Sequence, residues 1–311
     1  MDFVIFVVAM AILIWGADLL VQESEKIALQ FNISEFIIGA TLIALGTSLP
    51  EMAASVIASL NNKPQIAIAN VIGSNILNIT MVLGTIFIIA KKSMNPDRDF
   101  FKKDSFWALV PIFVFILIIF DGIISRFDSI MLLLLMSAYI LFLVKEAKEI
   151  VEEQINEIDK SEFRWLYTIP LIFVGLIFVI VGANFTVESA SNIAKSFGVS
   201  EWVIGIIMIS LGTSLPELVV SITASVKGKV DMAIGNIIGS NMANTTIVLG
   251  FAGLANPLSI NISNYFFDIL TMLIATLMLV FLTANKLYNK PAGISLFVIL
   301  FIFLEHTLET I

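Results

Sequence analysis

The chain has 311 residues, of which 59% are hydrophobic and 14% charged, with a mean hydropathy of +1.00. A water-soluble domain needs a far more polar surface, so the composition excludes one and places the chain in a membrane. Seventeen Lys and Arg against 25 Asp and Glu give a net charge of −8, which leaves no basic surface for nucleic acid, and no cysteine with one histidine removes disulfides, thiolate metal sites and most zinc designs.

A bilayer core takes about 20 apolar residues of helix. Windows of that length predict ten membrane helices, at roughly 3–21, 34–60, 65–90, 105–120, 128–144, 166–185, 200–226, 231–255, 264–284 and 291–307. The first lacks the basic lead of a signal peptide, having only Asp2 before its apolar run, and reads as a retained helix. Asp18, near the end of that window, reads as a side chain reaching to the interface. Ser34 and Ser200 open the second and seventh windows, each followed by a glutamate, and read as helix caps.

With ten crossings, 14 of the 17 Lys and Arg fall in loops on one side. The positive-inside rule puts that side in the cytoplasm and both termini outside a multi-pass cell-membrane protein. The one long charged stretch, 145–165, reads as a cytoplasmic linker, helical in part, between repeats at 1–144 and 166–311.

Those repeats are a duplication. Shifting the sequence by 166 residues aligns Phe31–Gly84 with Phe197–Gly250 without a gap, and more than half of the 54 positions are identical. Five spans per half is an odd number, so the second copy enters the membrane from the other side, the inverted-topology plan of many secondary transporters. The expected fold class is therefore an all-α integral membrane protein of ten transmembrane helices in two inverted five-helix repeats.

The best-preserved block reads Leu45-Gly46-Thr47-Ser48-Leu49-Pro50-Glu51 and, in the second half, Leu211-Gly212-Thr213-Ser214-Leu215-Pro216-Glu217. Proline lacks an amide donor and bends a helix, and loosened backbone at membrane depth is tolerated where it lines a cavity. A glutamate one turn after a threonine puts carboxylate and hydroxyl on one face with the kink. A second block sets Asn70, Ser74 and Asn78 at spacings of four, mirrored by Asn236, Ser240 and Asn244, as polar stripes on apolar helices. Asn70 and Asn236 read equally well as structural groups near a helix start. Ligands of oxygen alone suit hard cations such as Na⁺ and Ca²⁺. Glu51 and Glu217 have no Lys or Arg in their spans, and an ionised carboxylate there costs about 2.5–3.5 kcal/mol or more, so a cation must compensate. The pair balances one Ca²⁺ or two Na⁺, and a third Na⁺ would make exchange electrogenic.

The paired blocks resemble the signature repeats of the sodium/calcium exchanger family, within the cation/calcium exchanger superfamily. The resemblance implies Na⁺-driven Ca²⁺ antiport by alternating access, without enzymatic chemistry or a cofactor, with spans one and six sliding against the other eight. It implies as ion ligands the Ala44 carbonyl, Thr47, Ser48, Glu51, Ser74 and Asn78, and in the second half the Ser210 carbonyl, Thr213, Ser214, Glu217 and Ser240. Many relatives carry aspartate where this chain has Asn244, which still offers an amide oxygen and completes the expected set. Proton-coupled or K⁺-dependent Ca²⁺ exchange is the alternative within the superfamily. An intramembrane hydrolase fits poorly, since the lone His306 sits near the end of the last span and the central acids are glutamates. Beyond the ions and the lipid bilayer, the sequence names no partner.

Overall fold

In hydrocarbon an isolated apolar stretch satisfies its own backbone groups only as helix, and helix occupies all ten predicted windows. The computed structural model describes residues 2–89, 96, 98–153, 164–198 and 201–309, with 148–153, 201–211 and 309 by backbone alone. After α1 (Asp2–Phe31), the second span is built in pieces: α2 (Glu35–Ile38), a π-helical turn Gly39–Ile43, α3 (Ala44–Thr47) and α4 (Leu49–Leu60). The third joins α5 (Pro64–Leu77), a π-helical turn Asn78–Leu83 and α6 (Gly84–Ile89). Then come α7 (Phe100–Ile118), α8 (Arg126–Glu153), α9 (Trp165–Ser196) and α10 (Glu201–Val226). The eighth window holds α11 (Val230–Ala243), a π-helical turn Asn244–Val248 and α12 (Leu249–Ala255), followed by α13 (Ile262–Ala284) and α14 (Lys290–Glu309).

Among the described residues, eight of these helical segments are long and apolar enough to cross a membrane, and the second span adds a pair bent by 43°. The remaining window is filled by the 26 residues of α10. The chain is thus an all-α membrane protein, with one two-residue ladder between β1 (Ile123–Ile124) and β2 (Leu258–Ser259). Ser34 caps α2, its hydroxyl accepting from the Ile37 amide at 3.4 Å. Ser200 lies outside the described residues. The expected linker starts as helix, because α8 continues to Glu153, and 154–163 lie outside the described residues.

Two packing features position the site. The helices α1 and α9 run against each other at backbone distance: a Cβ on Gly16 would lie 2.9 Å from the Val179 nitrogen, and one on Gly182 would lie 2.7 Å from the Leu13 nitrogen. Small residues are what allow such approach in membranes. In the centre, α11 crosses the second span as closely, a Cβ on Gly239 falling 2.4 Å from the Ala40 carbonyl oxygen and one on Gly39 falling 2.3 Å from that of Met232.

Charged groups collect at the end of the bundle that holds the loops after α1, α6, α8 and α10. Arg98 binds Asp104 at 2.6 Å and Glu146 at 2.6 Å, Lys103 joins Glu146 at 2.8 Å, and the guanidinium lies 4.0 Å above the Phe36 ring. Burial works against the Arg98 charge, yet the bonds from Asp104 and Glu146 outweigh it and hold the group's pKa above its ordinary value. Lys229, beside the α10–α11 turn, binds both Glu25 of α1 and, at 2.8 Å, Glu35 of α2. Asp18 is paired with Lys227 at 2.5 Å, so a specific ion pair takes the place of the free interfacial side chain that the sequence suggests. His306, at the end of α14, stacks near Phe267 with ring centroids 3.8 Å apart.

Candidate functional site

The two acidic blocks meet in the middle of the bundle. In the first half the chain breaks at Ser48, whose φ of −81° and ψ of 4° end α3, and α4 restarts with Pro50 in its first turn, where a missing amide costs nothing. The identical block of the second half behaves differently: α10 is assigned as one helix straight through Pro216. Both arrangements bury the acid. Glu51 and Glu217 have no solvent exposure, and Thr47, Ser214, Ser74, Ser240, Asn78 and Asn244 share that full burial, with Ser48 at 3%.

Hydrogen bonds at the centre come in matched pairs, each related to its mate by the 166-residue shift; the bonds to Ser55 and Ser221 lie within one half and the others tie the halves together. Thr47 Oγ1 donates to Asn236 Oδ1 at 3.3 Å and Thr213 Oγ1 donates to Asn70 Oδ1 at 3.3 Å. Asn70 Nδ2 donates to Ser55 Oγ at 2.9 Å, and Asn236 Nδ2 to Ser221 Oγ at 2.9 Å. Asn78 Nδ2 donates to Asn241 Oδ1 at 3.0 Å, and Asn244 Nδ2 to Asn75 Oδ1 at 3.2 Å. Two further contacts cross the interface: Ser48 Oγ donates to Glu217 Oε1 at 3.3 Å, and Ser74 and Thr213 share a hydrogen bond of 3.5 Å. Glu51 faces Thr213 and Glu217 faces Thr47 and Ser48, so each acid looks into the opposite half.

What remains unpaired defines the chemistry. Both carboxylate oxygens of Glu51, Oε2 of Glu217, Oδ1 of Asn78 and of Asn244, and the hydroxyls of Ser214 and Ser240 are buried without a hydrogen-bond partner. Buried polar atoms are satisfied in the great majority of proteins, so a cluster of orphans at one place marks a ligand position. Among the described residues no group of three or more His, Cys, Asp or Glu occurs, which leaves the two glutamates and neutral oxygens as the donor set. Seven oxygens with two negative charges match the six to eight oxygen ligands that Ca²⁺ takes.

Of the residues expected from sequence, Thr47, Ser48, Glu51, Ser74, Asn78, Thr213, Ser214, Glu217, Ser240 and Asn244 all lie on the helices that meet here. The Ala44 carbonyl is engaged within its own turn, accepting from Ser48 N at 3.0 Å and Thr47 Oγ1 at 3.3 Å. Ser210 falls in the part of α10 described by backbone alone. Asn70 and Asn236 bind serines and threonines, and Asn70 Nδ2 also donates to the Glu51 backbone carbonyl at 3.3 Å. Sequence reasoning passed over Ser55, Ser221, Asn75, Asn241 and Thr245. The signal was available for the first four, which are polar and identical between the repeats.

The helix α9 touches both acidic blocks: Leu176 meets the Gly46 position, 2.5 Å from where a Cβ would sit, and Val187 meets that of Gly212 at 3.3 Å. One helix thus touches the glycine next to Thr47 and its mate next to Thr213.

Comparison with known families decides the class. The family described as sodium/calcium exchanger protein matches residues 1–145 and 167–308, both halves of the chain. The chain belongs to this family. A membrane protein of Methanocaldococcus jannaschii of uncharacterized role is 41% identical over 239 residues, 77% of each chain. The sodium/calcium exchanger MaX1 of Methanosarcina acetivorans is 29% identical over 334 residues, 95% of each. The solved structure of the sodium-calcium exchanger NCX_Mj soaked with Na⁺ and Ca²⁺ superposes with a TM-score of 0.83 at 33% identity, covering 98% of this exchanger and 97% of that one. As members of this family are exchangers, the chain is a transport protein of the membrane and its class is not enzymatic.

Proposed function

We propose that this exchanger carries Ca²⁺ one way and Na⁺ the other through a single site between Glu51 and Glu217. The observation that carries the reading is the pair of fully buried glutamates, on helices that also carry unpartnered oxygens, with no ion pair to either acid among the described residues. Two carboxylates balance one Ca²⁺ or two Na⁺, so occupation by either ion removes the cost of buried charge, and the empty site is the unfavourable state. That inequality is what couples the fluxes: the halves rearrange readily only when loaded. The sodium-calcium exchanger NCX_Mj, solved after soaking with both ions, shares the fold over nearly its whole length.

In this reading Thr47, Ser48, Ser74, Asn78, Thr213, Ser214, Ser240 and Asn244 add neutral oxygens, and the carbonyls of Ala44 and Ser210 become available as the adjacent turns shift. The chain crosses the membrane ten times, as five-helix halves 1–144 and 166–311 in inverted orientation joined by the cytoplasmic stretch 145–165, with both termini outside. The ion-paired end of the bundle then faces the cytoplasm. The helices α1 and α9, in glycine contact with each other and with α9 touching both acidic blocks, are the moving pair. Three Na⁺ per Ca²⁺ would carry net charge. No cofactor takes part.

The test is Ca²⁺ uptake into sealed vesicles holding the purified protein, loaded with Na⁺ and kept at equal pH on both sides. The reading predicts uptake that stops when internal Na⁺ is replaced by choline. Uptake driven by a pH gradient alone, without Na⁺, would transfer the assignment to proton-coupled exchange, and dependence on K⁺ would point to the K⁺-requiring type.

A further inference from the structure

The orphaned oxygens of Asn78 and Asn244 raise a question of orientation, since a carboxamide turned over would present its NH₂ to a cation and repel it. The surrounding hydrogen bonds answer it. Asn241 Nδ2 donates to the backbone carbonyl of Asn75 at 3.2 Å. A carbonyl only accepts, so the NH₂ end of Asn241 is fixed there and its Oδ1 must face Asn78. Asn78 in turn presents Nδ2 to that oxygen at 3.0 Å, which leaves its own Oδ1 buried and unpartnered. The second arm is anchored the same way. The Thr245 hydroxyl donates to the Asn241 carbonyl at 3.0 Å, so its oxygen is left to accept from Asn75 Nδ2 at 2.8 Å. Asn75 Oδ1 then faces Asn244, which gives it Nδ2 at 3.2 Å and leaves Oδ1 unpartnered. The two arms are repeat mates except for one hydroxyl: Thr245 stands where the first half has Ile79, bridging Asn75 to the backbone where Asn241 reaches it directly.

We propose that Asn75, Asn241 and Thr245 are positioning residues that set, from across the repeat interface, which end of Asn244 and Asn78 the ions meet. The proposal rests on the exchange reading for the identity of the ion. It assigns function to three residues that never touch the ion, and it predicts a pattern of coupling that ordinary packing would not produce. Asn241 acts through Asn78, on the other repeat. Asn75 and Thr245 act through Asn244. Residues that share a helix turn, Asn75 with Asn78 and Asn241 with Asn244, are independent.

The experiment is a set of double-mutant cycles read as Ca²⁺ half-saturation of exchange in vesicles, with maximal rate and thermal stability measured alongside. Removing an orienting hydrogen bond in Asn241→Ala or Thr245→Val raises half-saturation by about 2- to 10-fold with a smaller change in maximal rate. Adding Asn241→Ala to Asn78→Ala produces no further rise, and the same holds for Thr245→Val on Asn244→Ala. By contrast, Asn241→Ala multiplies the effect of Asn244→Ala, and Thr245→Val multiplies that of Asn78→Ala. Thr245→Ser restores the normal value. If Asn241→Ala does not fold, Thr245→Val, which keeps the side-chain shape, decides the matter through its own two cycles. Multiplicative effects in every pair, or a loss confined to thermal stability, overturn the proposal and leave the exchange reading standing. A wild-type protein without Ca²⁺ exchange, seen before any variant is made, overturns both.

Discussion

Glu217→Gln separates the two ions most sharply. A unit cation about 4 Å from a carboxylate gains about 4 kcal/mol at an effective dielectric near 20, so losing that carboxylate takes about 4 kcal/mol from bound Na⁺ and about 8 from bound Ca²⁺. At 1.4 kcal/mol per decade these losses are about a thousandfold for Na⁺ and about two to three decades more for Ca²⁺. Because glutamine has the shape of glutamate and keeps an oxygen that accepts from Ser48, the substitution should leave folding intact. Titration of the purified variant with each ion, together with Na⁺-dependent uptake of radiolabelled Ca²⁺, gives the two affinities. Equal losses for the two ions, or Ca²⁺ affinity within tenfold of the wild type, would refute the charge-balance reasoning. Glu51→Gln should behave in the same way.

Further outcomes follow from the same structure. Arg98→Met strands the buried Asp104 and leaves Glu146 with Lys103, and is expected to cost about 3–5 kcal/mol, read as a large fall in melting temperature that Asp104→Asn partly reverses. Gly182→Ala places a methyl group 2.7 Å from the Leu13 backbone nitrogen and should lower stability by about 1–3 kcal/mol, while slowing exchange more than it weakens Ca²⁺ binding; unchanged turnover would remove α1 and α9 from the moving part. Lys227→Ala breaks the half-exposed pair with Asp18 and should shift stability by less than about 1 kcal/mol in a thermal-melt assay. Asn244→Asp adds a third carboxylate beside the Asn75 oxygen and should change Ca²⁺ affinity or the number of Na⁺ moved per Ca²⁺, which a reversal-potential measurement reads; identical values would place residue 244 outside the site.

Much of this was legible in the residues because the bilayer imposes a hard length rule and the duplication marks what must be kept. Helix fills every apolar window, and the GTSLPE blocks do meet. Hydropathy registers membrane thickness and not helix length, so the windows 3–21 and 166–185 stop about ten residues short of the helices Asp2–Phe31 and Trp165–Ser196, whose polar ends continue in water. Identical sequence did not give identical backbone: the chain bends by 43° at Ser48, whereas α10 passes through Pro216 unbroken, since neighbours decide whether a proline kink is taken up at one residue or spread along a helix. The π-helical turns that begin at Asn78 and at Asn244 carry no sequence signature, as one extra residue per turn is a response to packing. Asn75 and Asn241 were passed over although identical between the repeats, because their hydrogen-bond partners lie on the other repeat, at a sequence distance no local pattern reveals.

The central claim is that one cation sits between two facing glutamates. Crystals soaked in Sr²⁺, a heavier stand-in for Ca²⁺, should show a single strong anomalous peak within coordinating distance of Glu51 and Glu217, fading as Na⁺ is raised. A peak elsewhere, or one indifferent to Na⁺, would contradict it.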